Sequence, residues 1–221
     1  GLADRVRSDN DISGDLILGA VPTTLTGLLP LALSQLKIQH PALQIRVVPG
    51  LSNQLLLQLD RGQIHAAVIS RPEVLSHSLS FSKIATEALV LLVSPLTKQL
   101  SPDELLRSQP FIRFNRDAVV GRQIEAWLQG RGISVRDTME LEGLEAISSM
   151  VAANLGISIV PKRCITESDQ LPVKTVSLGK NAPTRTLGLV RRSNTPKVRI
   201  IGAAETALSK AVELGSLQYI S

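Results

Sequence analysis

The chain is predicted to be an α/β protein of two small lobes, and three observations predict it. Short apolar runs of strand length alternate with amphipathic helical stretches in the order βαβαβ up to about residue 70. After a polar break the strand–helix–strand order resumes, without residue-level repetition. Finally, Glu142–Pro161 (EGLEAISSMVAANLGISIVP) compresses a helix, a tight turn and a buried strand into one unit. In that unit Leu144, Ile147, Met150 and Val151 share a helix face. Asn154 and Gly156 supply the stop, and Pro161 cuts off the strand Ile157–Val160.

Taken in order, residues 1–13 are polar, with Leu2 and Val6 four apart, and read as the last turns of a helix entering from further upstream. Leu16–Ala20 is a strand by length. After Pro22-Thr23-Thr24 a helix runs to about Gln39 and is closed by His40-Pro41. Leu29, Leu33 and Leu36 form one stripe on it, and Leu31 and Ile38 project from nearly the opposite face, a spare apolar surface suited to another subunit. Leu43–Val48 alternates as a strand. Ser52 is placed to cap a helix over Asn53–Arg61, and Ala66–Ile69 is a third buried strand. Right-handed crossovers make this part a mostly parallel sheet.

Arg71–Ser80 reads as a polar loop and Ala88–Val93 as the strand that follows. Ser101-Pro102-Asp103-Glu104 is a strong helix start. Phe111–Phe114 is a strand, Val120–Gln129 a helix with Ile124, Trp127 and Leu128 on one side, and Met139–Leu141 a strand leading into the unit described above. Val173–Leu178 and Thr186–Val190 are two further strands, and a last helix begins at Pro196. The two lobes split near residues 80–90, with loops after the strands of both lobes facing a cleft.

In open α/β sheets ligands collect at the carboxyl ends of the strands, so the polar residues there are the candidates. Thr23 and Thr24 offer hydroxyls beside helix N–H groups, a seat for a carboxylate, although either can equally cap its own helix. Ser70-Arg71 offers a hydroxyl and a planar cationic fork, or an exposed loop charge. Asn115, flanked by Arg113 and Arg116, is the matching group of the second lobe. Gly143 leaves backbone N–H groups open at a helix start.

Nothing points to catalysis. His40, His65 and His77 lie at no metal-ligand spacing and read as structural or solvent-facing. Cys164 is the single cysteine, which excludes an internal disulfide and suits a reducing cytoplasm. Nucleophile elbows, zinc-protease motifs and glycine-rich phosphate loops do not occur. The net charge of +5 is scattered rather than clustered, and aromatic residues make up 2%, so neither a groove reader nor a single-strand binder is visible. No apolar run approaches the ~20 residues that span a bilayer. No cofactor and no metal are expected.

The ordered set GDLILGAVPTT (14–24), LLPLALSQLKIQHPALQIRVVPG (28–50), LDRGQIHAAVIS (59–70), EALVLLVSP (87–95), PFIRF (110–114), LEGLEAISSMVAANLGISIVP (141–161) and TLGLVRR (186–192) resembles the effector-binding domain of LysR-type transcriptional regulators. His65-Ala66-Ala67 departs from the acidic residue the family often carries there. The resemblance implies two Rossmann-like lobes in a type-2 periplasmic-binding-protein fold, crossed twice by the chain. Lobe I would be 14–84 plus 190–213 and lobe II 85–189, with a helix-turn-helix DNA-binding domain before residue 1.

It also implies a small effector at Pro22, Thr23, Thr24, Gly50, Leu51, Ser52, Ser70, Arg71, Asn115, Glu142 and Gly143. The basic balance and the hydroxyl and Arg set favour a small anion. A homodimer is implied in which Leu31, Gln35 and Ile38 of the first long helix meet Gln123 and Trp127 of the partner, with a tetramer in the full-length protein. DNA would be bound only through the upstream domain, no membrane is involved, and the location is cytoplasmic. A transporter's solute-binding protein shares the fold and is the alternative.

Overall fold

Strand β1 (Gly14–Ala20) lies parallel to β2 (Leu43–Pro49), in register from Gly14 opposite Leu43 to Ala20 opposite Pro49. On its other side it is parallel to β3 (Ala66–Ser70), with Leu18 opposite Ala66. Helices α1 (Leu28–Gln39) and α2 (Ser52–Asp60) are the crossovers that make this parallel pairing possible. The computed structural model describes residues 12–165 and 171–215. The expected helix over 1–13 therefore falls outside the described residues except for Ile12 and Ser13, which are not helical.

The rest of the chain adds β4 (Leu79–Val93), α3 (Pro102–Ser108), β5 (Pro110–Phe114), α4 (Val119–Gly130), β6 (Arg136–Leu141) and α5 (Leu144–Ala152). It closes with β7 (Ser158–Pro161), β8 (Lys174–Ser177), β9 (Thr184–Arg192) and α6 (Val198–Leu214). The chain divides into two units. One runs to Ala85, takes in Cys164 and resumes at Leu187; the other covers Thr86–Arg163 and ends at Thr186. The long strands β4 and β9 each carry the chain from one unit to the other.

In the first unit β9 closes the parallel strands antiparallel to β3, from Ala66 opposite Arg191 to Ser70 opposite Leu187. Leu16 and Leu18 of β1, Leu36 of α1, Leu55 and Leu59 of α2 and Leu208 of α6 are all but inaccessible in its core. In the second unit β7 and β8 flank the second half of β4, both antiparallel to it. There β5 runs parallel to β6 and bridges to Ile157 through Phe111. Leu89, Leu91, Phe111, Ile112, Ile124, Ile147 and Ile159 fill that unit's own core.

Several expectations are corrected. The first helix does not follow directly from Pro22: Pro22–Thr24 is one 3-10 turn, and α1 starts only at Leu28. Gly27 separates them at φ 90°, a conformation that a side chain disfavours, where a Cβ would also stand 3.2 Å from Ile165. Leu31 and Ile38 do not share a free face. Leu31 is 5% exposed and belongs to the core, whereas Ile38 is 61% exposed. Ser52 is the first residue of α2 rather than its cap; that place falls to Leu51, whose N–H donates to Gln54 Oε1 (3.1 Å). Strand β4 begins at Leu79, nine residues earlier than the apolar run alone marks, because its first half is only partly buried and keeps polar residues. Helix α5 is stopped by Asn154 alone, at φ 59°.

Candidate functional site

Because β1, β2 and β3 are parallel, the turns that leave them gather along one edge of the first unit. They carry Pro22-Thr23-Thr24, Gly50-Leu51-Ser52 and Ser70-Arg71. Backbone hydrogen bonds tie these turns together: Val21 N–H to Val68 O (3.0 Å) and Gly50 N–H to Ala20 O (3.1 Å). The Ser52 hydroxyl donates to Ser70 O (3.5 Å). Thr23, Thr24, Ser52 and Ser70 are all buried.

Of the two readings of Thr24, the internal one accounts for its proton. Its hydroxyl donates to Val21 O (2.7 Å), and its own N–H reaches the same carbonyl (3.0 Å). The pair of threonines thus sits on a one-turn 3-10 segment, not at the start of α1. Arg71 is different. It is exposed, and its guanidinium carbon stands 5.2 Å from the centre of the Phe81 ring. Among the described residues no carboxylate pairs with it.

The second unit has its own strand-end edge. Asn115 follows β5 and donates its N–H to Leu141 O (2.9 Å) at the end of β6, beside Glu142 and Gly143. Asn115 is buried, and its Oδ1 accepts the Asp117 N–H (3.0 Å), which closes the turn into α4. Glu142 is exposed, and Gly143 takes the N-cap position of α5 without a side-chain cap.

The cations flanking Asn115 are both engaged internally. Arg113 is buried and pairs with Glu125 and with Asp137 (3.4 Å). Arg116 pairs with Glu140 (2.8 Å), whose carboxylate also accepts the Arg116 N–H (3.0 Å). That bonding holds Glu140 below the usual carboxylate range and raises the Arg116 guanidinium. The first turn of α5 carries Glu145, itself paired with Arg163 (3.2 Å).

The residues expected at a subunit interface are placed as follows. Gln35, Ile38 and Gln39 of α1, with Lys210, Glu213 and Leu214 of α6, line an open groove on the first unit. Gln123 of α4 donates to Thr184 O. Trp127 is half-buried, with the Arg131 guanidinium 5.4 Å from its ring centre.

Sequence reasoning missed Phe81. It lies between the loop Arg71–Ser80 and the strand Ala88–Val93, in a stretch assigned to no element, and nothing local marks it as the neighbour of Arg71. Among the described residues no group of three His, Cys, Asp or Glu could hold a metal ion, and no helix is long and apolar enough to cross a membrane.

Comparison with known proteins adds three findings. Residues 9–204 match the family model "LysR substrate binding domain". Among curated proteins the chain is 27% identical over 192 residues to a hydrogen peroxide-inducible genes activator of Haemophilus influenzae, covering 84% of this chain and 63% of that protein. It is 30% identical to the HTH-type transcriptional regulator CzcR of Bacillus subtilis, covering 73% of this chain and 54% of that protein. The chain therefore spans less than two thirds of these relatives.

Among solved structures it is similar to the reduced OxyR regulatory domain of Pseudomonas aeruginosa, with TM-score 0.75, 21% identity and coverage of 90% of this chain and 98% of that one. The effector-binding domain of QuiR in complex with shikimate aligns with TM-score 0.73 at 19% identity, covering 92% of this chain and 98% of that one.

Proposed function

Since the chain belongs to the LysR substrate-binding-domain family, we propose that it is the ligand-sensing regulatory domain of a LysR-type transcriptional regulator and that its effector is a small carboxylate. One observation carries the anionic reading. At the strand-end turns of the first unit the Thr24 hydroxyl is committed to Val21, whereas Arg71 is an exposed guanidinium with no carboxylate partner among the described residues; in the second unit Arg113 and Arg116 are both matched by carboxylates. Such a fork binds a carboxylate through two parallel N–H bonds. Shikimate, held by the QuiR domain of the same fold, is a small hydroxylated carboxylate, which agrees with this choice.

In this reading the effector is recognised at the strand-end turns of the two units. Its proposed contacts are Pro22, Thr23, Gly50–Ser52 and Ser70 in the first unit and Asn115, Glu142 and Gly143 in the second. Isothermal titration with a panel of small carboxylates tests it. Arg71→Gln should weaken the binding carboxylate by roughly 10–150-fold, as loss of a charged hydrogen bond implies, with the melting temperature nearly unchanged. Equal affinity in parent and variant would remove Arg71 from the site.

The same reading takes lobe I as 14–84 plus 190–213 and lobe II as 85–189. A helix-turn-helix domain precedes them in the native cytoplasmic protein, as the HTH-type names of relatives support. Two copies pair through α1 of one and α4 of the other, with Gln35, Ile38, Gln123 and Trp127 at the contact and Leu31 supporting it from beneath. Effector-biased closure needs about 1–3 kcal/mol of differential binding to change DNA occupancy roughly 5–150-fold. With Cys164 as the one cysteine, no disulfide can form within these 221 residues, so the signal in this reading is occupancy and not a thiol pair.

A further inference from the structure

Among the described residues Arg71 has no carboxylate partner; its neighbour is a ring, and that ring lies against a glycine. Phe81, in the first half of β4, lies with its tip on Gly188 of β9. A Cβ at position 188 would meet Phe81 Cζ at 2.2 Å and both Cε atoms at 2.6 Å, distances no real side chain tolerates. Gly188 stands opposite Ile69 in the β3–β9 pairing, two residues before Arg71 on the neighbouring strand, and all three groups belong to the same unit.

The missing side chain at 188 is thus the space the ring occupies, and the ring's centre is 5.2 Å from the Arg71 guanidinium carbon. An exposed arginine otherwise samples many rotamers, and that freedom is lost on binding. A cation–π contact with the ring removes part of it beforehand.

We propose that Phe81 and Gly188 are positioning residues: Gly188 seats the Phe81 ring, and the ring holds one face of the Arg71 guanidinium so that its in-plane N–H fork is presented to a planar carboxylate. This rests on the reading of Arg71 as the effector's anchor. It assigns ligand selectivity to two residues with no polar group of their own, since a covered face leaves only the edge of the fork for recognition.

The experiment uses NMR of the Arg Nε–Hε groups in the whole chain, with the Arg71 signal assigned by its loss in Arg71→Lys and malonate as the carboxylate probe. In the parent chain the signal should be displaced by the ring current and should move on adding malonate. Phe81→Leu should return it to the position of an unstacked arginine and weaken malonate about tenfold, with little loss of melting temperature. Gly188→Ala should do the same while destabilising the fold. Adding Phe81→Leu to Gly188→Ala should recover stability, because the Cβ then has room, yet leave the Arg71 signal unstacked and malonate weak.

A parent signal already at the unstacked position overturns the platform. A displaced signal that malonate leaves unmoved overturns the carboxylate reading and the proposal with it. Recovery of malonate affinity in the double variant would overturn the positioning role, showing that stability alone was at stake.

Discussion

The imidazole of His65 accepts the Ile17 N–H at Nδ1 (2.8 Å), and the His65 N–H donates to Ile17 O at the same distance. A nitrogen that accepts an amide N–H carries no proton, so the ring is neutral. Burial depresses its pKa below the ordinary 6.5, and Lys197 and Arg192 act in the same direction against Asp15. The sign follows: the unfolded chain takes up the proton at about 6.5 while the folded one still resists it. Stability from this group is therefore complete above that value and is lost as the pH falls through and below it. Urea melts of the parent and His65→Gln at a series of pH values should show a steeper acid loss in the parent, and parallel curves would refute the clasp. The sequence placed His65 outside any metal spacing, which is a local property. It could not assign the Nδ1 bond, because Ile17 is 48 residues away in the chain.

Helix α1 shows how far periodicity reaches at the level of an element. Helical spacing picked out Leu29, Leu33 and Leu36 as one stripe; Leu29 and Leu36 are buried, and Leu33 packs partly buried against the same core. The same spacing set Leu31 beside Ile38 on a spare face, and this failed because α6 covers α1 from a second side. A sequence period cannot count how many neighbours a helix will have. The consequence is experimental: Leu31→Glu would bury a charge in the core and unfold the unit, so it says nothing about assembly. Ile38→Glu changes an exposed position and is the informative variant. It should shift sedimentation velocity from dimer to monomer with the circular dichroism spectrum preserved, and an intact dimer would move the interface elsewhere. Strand β4 teaches the complementary lesson. Its first half alternates weakly, yet it carries Phe81 towards Arg71, and just beyond it Glu87 pairs with Arg185 in a site from which water is excluded (2.6 Å).

For the molecule as a whole, the dimer reading makes thermal stability depend on protein concentration by mass action. The parent chain should melt at higher temperature as it is concentrated, and Ile38→Glu should not; a concentration-independent parent would argue for a monomer. The sequence by itself determined the order of strands and crossover helices and the family. It also placed the candidate turns at the carboxyl ends of their strands, since residue period and parallel connection are consequences of neighbours in the chain. Tertiary structure alone decided which polar groups at those turns are spent and which remain. The hydroxyl of Thr24 satisfies Val21, and the charges of Arg113 and Arg116 are matched internally. Arg71 is left to a ring seated on a glycine of a distant strand. Such pairings join residues far apart in the chain, 98 positions in the case of Glu87 and Arg185. Their energies depend on burial and distance, which packing in three dimensions sets and no local pattern encodes.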